Sequence, residues 1–241
     1  MANFVLVHGG GHGGWCYKPV AQLLRAAGHT VYCPSLTGLG ERDHLLGPDI
    51  DLETHIDDIV QLLFFEDIDD AIIVGHSYGG MVIAGIADRC PERVGHRVYL
   101  DAAYPDDGES LLDHAGEMIR GARALGEDRD GIELAMSPSM VIVEMMGITD
   151  PQMQQWALER LRPHPWKCFT QKLHFKDEAR MRAIPESHII CSGTADSRDM
   201  ERLTKAAEGR IWAIDTGHDL MLTEPDWVAE RLGDVAATMG N

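Results

Sequence analysis

Residues 71–81 read Ala71-Ile72-Ile73-Val74-Gly75-His76-Ser77-Tyr78-Gly79-Gly80-Met81. A β-prone apolar run meets a glycine, a lone serine follows, and further glycines lead into an apolar stretch that stops before Pro91. The pattern is G-x-S-x-G between a strand and a helix. Glycine is needed on both flanks because so tight a strand-to-helix turn leaves no room for side chains, and the serine is forced into a strained backbone conformation. Its hydroxyl then stands above the sheet, near a positive helix N-terminus. Ser77 reads as a nucleophile rather than an ordinary turn residue.

Working outward, Phe4-Val5-Leu6-Val7, Val31-Tyr32-Cys33, Arg97-Val98-Tyr99-Leu100, Ser187 to Cys191 and Arg210 to Ile214 are further candidate strands. Unbroken apolar runs suit strands buried on both faces. Between them lie amphipathic helices. One carries Val20, Leu23, Leu24 and Ala27 and ends at Gly28; another carries Leu52, Ile56, Ile59, Val60 and Leu63. A last helix runs from Thr223, as its cap, to Met239, with Pro225 in its first turn. Strands alternating with helices predict an α/β fold, a mostly parallel sheet covered on both faces. Residues 1–241 are expected to form one domain. The interval from about Tyr104 to Arg182 breaks the rhythm: it holds no clear strand, is rich in Met and is expected to be a helical cap insertion.

Serine is a poor nucleophile at neutral pH and needs a base. His218, in Asp215-Thr216-Gly217-His218, falls between the last strand and the last helix, where a Ser…Asp…His hydrolase keeps its histidine. An acid must hold that imidazole in the right tautomer. Asp196, after the fifth strand, is the leading candidate; Asp199 lies close to it, and Asp101 ends the fourth strand as an alternative acid or a structural carboxylate. The oxyanion of acyl transfer needs preorganised N–H donors. Tyr78 offers one from its backbone, and Gly10, in His8-Gly9-Gly10-Gly11, the second. Gly9, Gly11 and Gly14 also have G-x-G-x-x-G spacing, but no acidic residue closes the second strand as a dinucleotide site requires.

These motifs resemble the α/β-hydrolase superfamily. They are His8-Gly9 with His12-Gly13-Gly14-Trp15, the elbow Gly75 to Met81, and Gly217-His218. They are more narrowly similar to the branch of plant hydroxynitrile lyases and methyl-salicylate-type esterases. Met1 to Tyr17, Leu52-Glu53-Thr54-His55-Ile56-Asp57-Asp58 and Tyr99-Leu100-Asp101-Ala102 resemble short bacterial esterases of that branch, including those that split a benzimidazole methyl carbamate. The resemblance implies a serine hydrolase acting on a small apolar or aromatic ester or carbamate through an acyl- or carbamoyl-enzyme. The lyases carry a lysine after the catalytic histidine, to meet cyanide, and a threonine in the first oxyanion loop. Asp219 and Gly10 stand there instead, which places hydrolysis ahead of C–C lysis. A ligand-binding protein without turnover is the alternative from another class.

The formal net charge of −18 disfavours nucleic acid and anionic membranes as partners. Five cysteines without CxxC or metal spacing read as free thiols in a reducing cytoplasm. The opening apolar run is too short for a signal peptide or a membrane span. No HExxH occurs among the twelve histidines, so no metal or organic cofactor is expected. The cap's Met and Trp residues suggest an adaptable apolar pocket, with Trp156, Met145 and the loop residue Gly11 as its candidate lining.

Overall fold

The computed structural model describes residues 1–239. Six strands form one all-parallel sheet: β1 (Asn3–Val7), β2 (Thr30–Tyr32), β3 (Ala71–His76), β4 (Val94–Leu100), and, after a long interval, β8 (Glu186–Cys191) and β9 (Ile211–Ile214). Their spatial order is β2-β1-β3-β4-β8-β9, so β3, the strand that runs into Ser77, lies near the centre. Every residue of β3 and β8 is buried, as a parallel sheet covered on both faces demands.

Alternate strand residues feed two apolar layers. Val5, Val7 and Ile73 pack with Ile56 and Ile59 of α2 (Leu52–Phe65) and with Met81 and Ile83 of α3 (Gly79–Arg89). Phe4, Leu6, Ile72 and Val74 face the other way, onto Val20 and Leu24 of α1 (Lys18–Ala26) and Val228 and Leu232 of α12 (Pro225–Met239). Asp51 starts α2 with a reciprocal capping box to Thr54. Pro225 does open the last helix, but Thr223 does not cap it. Thr223 ends the short α11 (Leu220–Thr223), and its hydroxyl shares a hydrogen bond with Thr216.

Between β4 and β8 stand α4 (Leu111–Ala124), α5 (Met140–Met145), α6 (Pro151–Leu158), α7 (Lys167–Thr170) and α8 (Glu178–Arg182). The interval also holds strands that the sequence reading did not anticipate. β5 (Asp128–Arg129), β6 (Ile132–Ala135) and β7 (His164–Pro165) form a small antiparallel sheet. Its hairpin turns on Asp130-Gly131, both at positive φ, the pair favoured in two-residue turns. The flanking strands are too short for hydrophobic alternation to reveal. After β8 come α9 (Ser192–Ala195) and α10 (Met200–Ala206). Among the described residues no helix is long and apolar enough to cross a membrane.

The elbow depends on backbone proximity. A Cβ on Gly79 would lie 2.7 Å from the Val7 carbonyl oxygen, and one on Gly75 would lie 2.5 Å from that of Gly79. Neither backbone can yield. Gly79→Ala is therefore expected to destabilise the fold by about 1–3 kcal/mol, the usual cost of overpacking. Gly193→Ala, where an added Cβ meets nothing within 4 Å, should stay within about 0.5 kcal/mol. Urea denaturation of the two variants checks this; equal midpoints would contradict it.

Candidate active site

Ser77 sits between β3 and α3 with φ at +53°. That is the left-handed region, costly for any residue with a side chain. The turn is locked by its own backbone. Ser77 N–H donates to the Leu100 carbonyl at 3.3 Å, and the Ser77 carbonyl accepts from Gly80 and Ala103 N–H, each at 3.0 Å. Tyr78 N–H, next in the chain, donates to no protein acceptor among the described residues.

His218 lies in the loop after β9, its side chain one-quarter exposed at 25%. Its backbone carbonyl accepts from His76 Nε2 at 2.9 Å, which ties the base loop to the residue preceding Ser77. The close approach of Gly147 and Gly217 binds the same loop to the cap, since a Cβ on Gly147 would sit 2.4 Å from Gly217 Cα. No direct Ser77–His218 hydrogen bond is closed among the described residues; in unliganded sites such bonds often tighten only when substrate binds.

The partner of His218 is Asp101, not Asp196. His218 Nδ1–H donates to Asp101 Oδ2 at 2.6 Å. The physical reason is the path of the chain after β8. It enters α9 at once and carries Asp196 out to an exposed position, while Thr194 of that same turn reaches back to Asp101. Asp199 is exposed too and caps α10 through Arg202 N–H. Asp101 ends β4 with φ at +44° and is buried. Its Oδ1 accepts from Thr194 Oγ1 (2.6 Å), Arg198 Nη2 (2.9 Å) and Cys191 N–H (3.3 Å). Burial alone would raise the carboxyl pKa. The hydrogen bond and charge of His218, with Arg198 and Thr194, outweigh it and hold the group well below the usual carboxylate range.

The glycine loop after β1 is pinned by three histidine rings. His8 Nδ1–H donates to the Gly9 carbonyl (2.9 Å), His12 Nδ1–H to the Gly10 carbonyl (2.8 Å), and Gly11 N–H to His164 Nδ1 (3.2 Å). Gly10 N–H has no protein acceptor among the described residues and is a free donor of the loop. Beside it, a Cβ on Gly10 would lie 3.1 Å from both Met136 Sδ and Phe169 Cζ, so a thioether and an aromatic edge wall this position.

The pocket candidates fare less well. Gly11 is engaged on both sides, its carbonyl accepting from Arg162 N–H at 2.9 Å. Trp156 packs edge-on against Trp15, which stacks on His12. Met145 faces solvent, 57% exposed. Met136 and Phe169 take the place next to Gly10; the first belonged to the Met-rich pattern, and nothing in the sequence singled out the second. Two surface hollows of about 310 and 330 Å³ are lined by neither Ser77, His218 nor Gly10.

His55, His164 and Cys168 bring donor atoms within 4.8 Å of one another, a grouping that sequence spacing did not reveal. Their hydrogen bonds oppose a cation. His55 Nδ1 pairs with the Tyr78 hydroxyl (2.9 Å) and its Nε2 with the Thr37 carbonyl (3.0 Å). His164 Nδ1 accepts from Gly11, so its Nε2 carries the proton and has no lone pair to offer. Burial also raises the Cys168 thiol pKa far above its ordinary value.

Residues 4–231 match the family described as "Alpha/beta hydrolase family". The carbendazim hydrolyzing esterase of Nocardioides sp. (strain SG-4G) is 36% identical over 246 residues, covering 96% of this chain and 98% of that protein. Methylesterase 1 of Arabidopsis thaliana is 29% identical over 203 residues, 78% of this chain and 77% of that one. Among solved structures, an extracellular alpha/beta-hydrolase from a Paenibacillus species superposes with a TM-score of 0.80 at 23% identity, over 96% of this chain and 98% of that one. Polyneuridine aldehyde esterase gives 0.78 at 21%, over 98% and 99%. At such identities the two structures bear on the fold alone. The sequence relatives support esterase chemistry and place the chain beside the methylesterase branch.

Two outcomes follow from this geometry. Asp101→Asn should slow fluorophosphonate labelling of Ser77 by about 10³-fold or more, as loss of the imidazole's orienting acid does elsewhere, while Asp196→Asn labels like the unaltered protein. The reverse pattern would reinstate Asp196. The second outcome concerns pH. Burial, above all, lowers the pKa of His8 and His76 to about 3, of His55 to about 4, and of His164 well below 6.5. Below about 6.5 only the unfolded chain binds these protons, at a cost of up to about 1.4 kcal/mol per histidine per pH unit. Among this histidine cluster His12 runs the other way, its pKa raised; the depressed carboxylates Asp101 and Asp219 lose their contribution only below the ordinary carboxylate range. The urea midpoint is expected to fall clearly between pH 7.5 and pH 5.5; a flat or rising midpoint would contradict neutral burial of these rings.

Proposed function

The chain belongs to the alpha/beta hydrolase family, and from that premise we propose that it is a serine esterase cleaving a small carboxylic ester or methyl carbamate. The observation that carries the proposal is the carboxylate-paired His218 in a loop whose backbone is bonded to His76, the residue before the strained Ser77. Ser77 Oγ attacks the carbonyl carbon while His218 Nε2 takes its proton. Asp101 holds Nδ1–H and stabilises the imidazolium. Gly10 and Tyr78 N–H receive the oxyanion. His218 then protonates the departing alcohol or amine, and a water activated by the same ring releases the acyl or carbamoyl group. Beyond the substrate and water, each step is assigned to groups of this chain.

The apolar wall of Met136 and Phe169 beside Gly10 favours an aromatic or flat apolar substrate. Similarity to the carbendazim hydrolyzing esterase across 96% of the chain adds a benzimidazole methyl carbamate to the candidate substrates. Asp219 argues against cyanide release. It is fully buried and bonded to His12, so the position after the base presents no cation to a leaving group.

The test is hydrolysis of p-nitrophenyl acetate and butyrate, methyl salicylate, a benzimidazole methyl carbamate and mandelonitrile, by the unaltered protein and by Ser77→Ala. At least one ester or carbamate should be cleaved, and the substitution should lower that rate by about 10⁴-fold or more. Retained activity in Ser77→Ala would overturn the mechanism. Cyanide release from mandelonitrile alone would restore the lyase, and silence with no labelling of Ser77 would favour a binding protein.

A further inference from the structure

The glycine loop and the base loop are joined by a buried charge pair. His12 Nε2 lies 2.9 Å from Asp219 Oδ2, and its Nδ1 lies 2.8 Å from the Gly10 carbonyl oxygen. A backbone carbonyl can only accept, and an ionised carboxylate can only accept, so both ring nitrogens must donate. His12 is then an imidazolium with no exposed surface to speak of, and Asp219 is its counter-ion.

The three rings around the loop hold three different proton arrangements, each dictated by its partners. His8 donates from Nδ1 to Gly9 and accepts Leu36 N–H at Nε2 (3.0 Å), which makes it neutral. His164 accepts Gly11 N–H at Nδ1, so its proton sits on Nε2. Only His12 has an acceptor at both nitrogens. In a planar trans peptide the C=O and N–H point in opposite directions, on either side of the C–N bond. The ring of His8 on the Gly9 carbonyl therefore aims Gly10 N–H away from it. His12 on the Gly10 carbonyl and His164 on the Gly11 N–H fix the plane that follows. The amide assigned to the oxyanion is thus held from both sides.

Resting on the esterase reading above, we infer that His12 and Asp219 are positioning residues: the His12–Asp219 ion pair fixes the Gly10 amide in the oxyanion hole and couples it to the loop of the base. The coupling is physical. Asp219 follows His218, its own N–H donates to the Met146 carbonyl of the cap at 3.0 Å, and its Oδ1 lies 3.9 Å from His76 Nε2. Around His12 stand Asp219, the ring of His76 at 5.9 Å, Trp15 stacked at 5.3 Å, and the neutral His8 and His164. The sole negative charge facing it, among the described residues, is Asp219.

Two readouts test the assignment. In ¹⁵N NMR of the unaltered protein at pH 7.5, both ring nitrogens of His12 should carry protons, whereas a free imidazole is mostly neutral there. In kinetics, the pair is neutralised together, so that no buried charge is stranded. His12→Ala with Asp219→Asn should lower kcat, and the rate of fluorophosphonate labelling, by about 10²-fold, the scale of one oxyanion donor, with KM within threefold. His12→Asn with Asp219→Asn restores a donor near the old Nδ1 and should recover tenfold or more. Thermal midpoints of the two double variants should match within a few degrees, which separates positioning from stability. A neutral His12 in the NMR experiment would overturn the ion pair. A reactive wild type whose His12→Ala/Asp219→Asn variant labels equally fast, or no recovery by Asn at equal stability, would overturn the positioning role alone. A wild type that never reacts with the phosphonate would overturn the esterase reading and this role with it.

Discussion

The candidate site depends on the backbone of Ser77 being held in the left-handed region, at φ +53°. Such a conformation costs about 1–2 kcal/mol and persists only where its surroundings leave no alternative. Here the surroundings are backbone. Gly79 passes under the end of β1, and an added Cβ on Gly80 would lie 2.0 Å from the Ala103 carbonyl oxygen. Helix α3 is thereby drawn against both neighbours of β3. The Ser77 carbonyl and N–H are consumed by that packing, and Tyr78 N–H is left over. The same compactness that strains the serine leaves free the donor that the proposed chemistry needs.

The parallel order β1-β3-β4-β8 then decides who meets whom. The ends of β1, β3 and β4 lie side by side, and each contributes a part of the proposed machinery: the glycine loop, Ser77 and Asp101. Two buried carboxylates flank the base. Asp101 is bonded by His218, Arg198 and Thr194, and Asp219 by His12 through Oδ2, its Oδ1 lacking a hydrogen-bond partner among the described residues. Each anion has its own cation. That division lets two acidic groups, one adjacent in sequence and one 117 positions away, pack near His218 while only Asp101 bonds its ring. A buried charge is costly unless paired and hydrogen-bonded; both carboxylates face a charged or hydrogen-bonding partner, Asp101 through both oxygens and Asp219 through one.

Much of this was legible in the residues. The G-x-S-x-G turn, the unbroken apolar runs and the late Gly217-His218 carry their own physics, because glycine spacing and strand burial are local properties. The acid was not legible in the same way. Asp196 and Asp101 both follow strands, and only the direction of the helical turn after β8 sends one outward and leaves the other beneath His218. The Asp130-Gly131 hairpin carried a readable turn signal, but strands of two to four residues gave no periodicity to accompany it. His12, His164 and Phe169 were beyond reach for another reason. Their roles arise from contacts across the fold, such as the His12–Asp219 pair spanning 207 positions.

The central claim is that Ser77 is covalently acylated during turnover. It is tested most directly by quenching the protein with a slowly deacylating ester or carbamate and mapping the adduct by peptide mass spectrometry. The account predicts an acyl or carbamoyl group on the peptide carrying Ser77, absent from Ser77→Ala. Turnover with an unmodified Ser77 peptide, or the same adduct on another residue in Ser77→Ala, would contradict it.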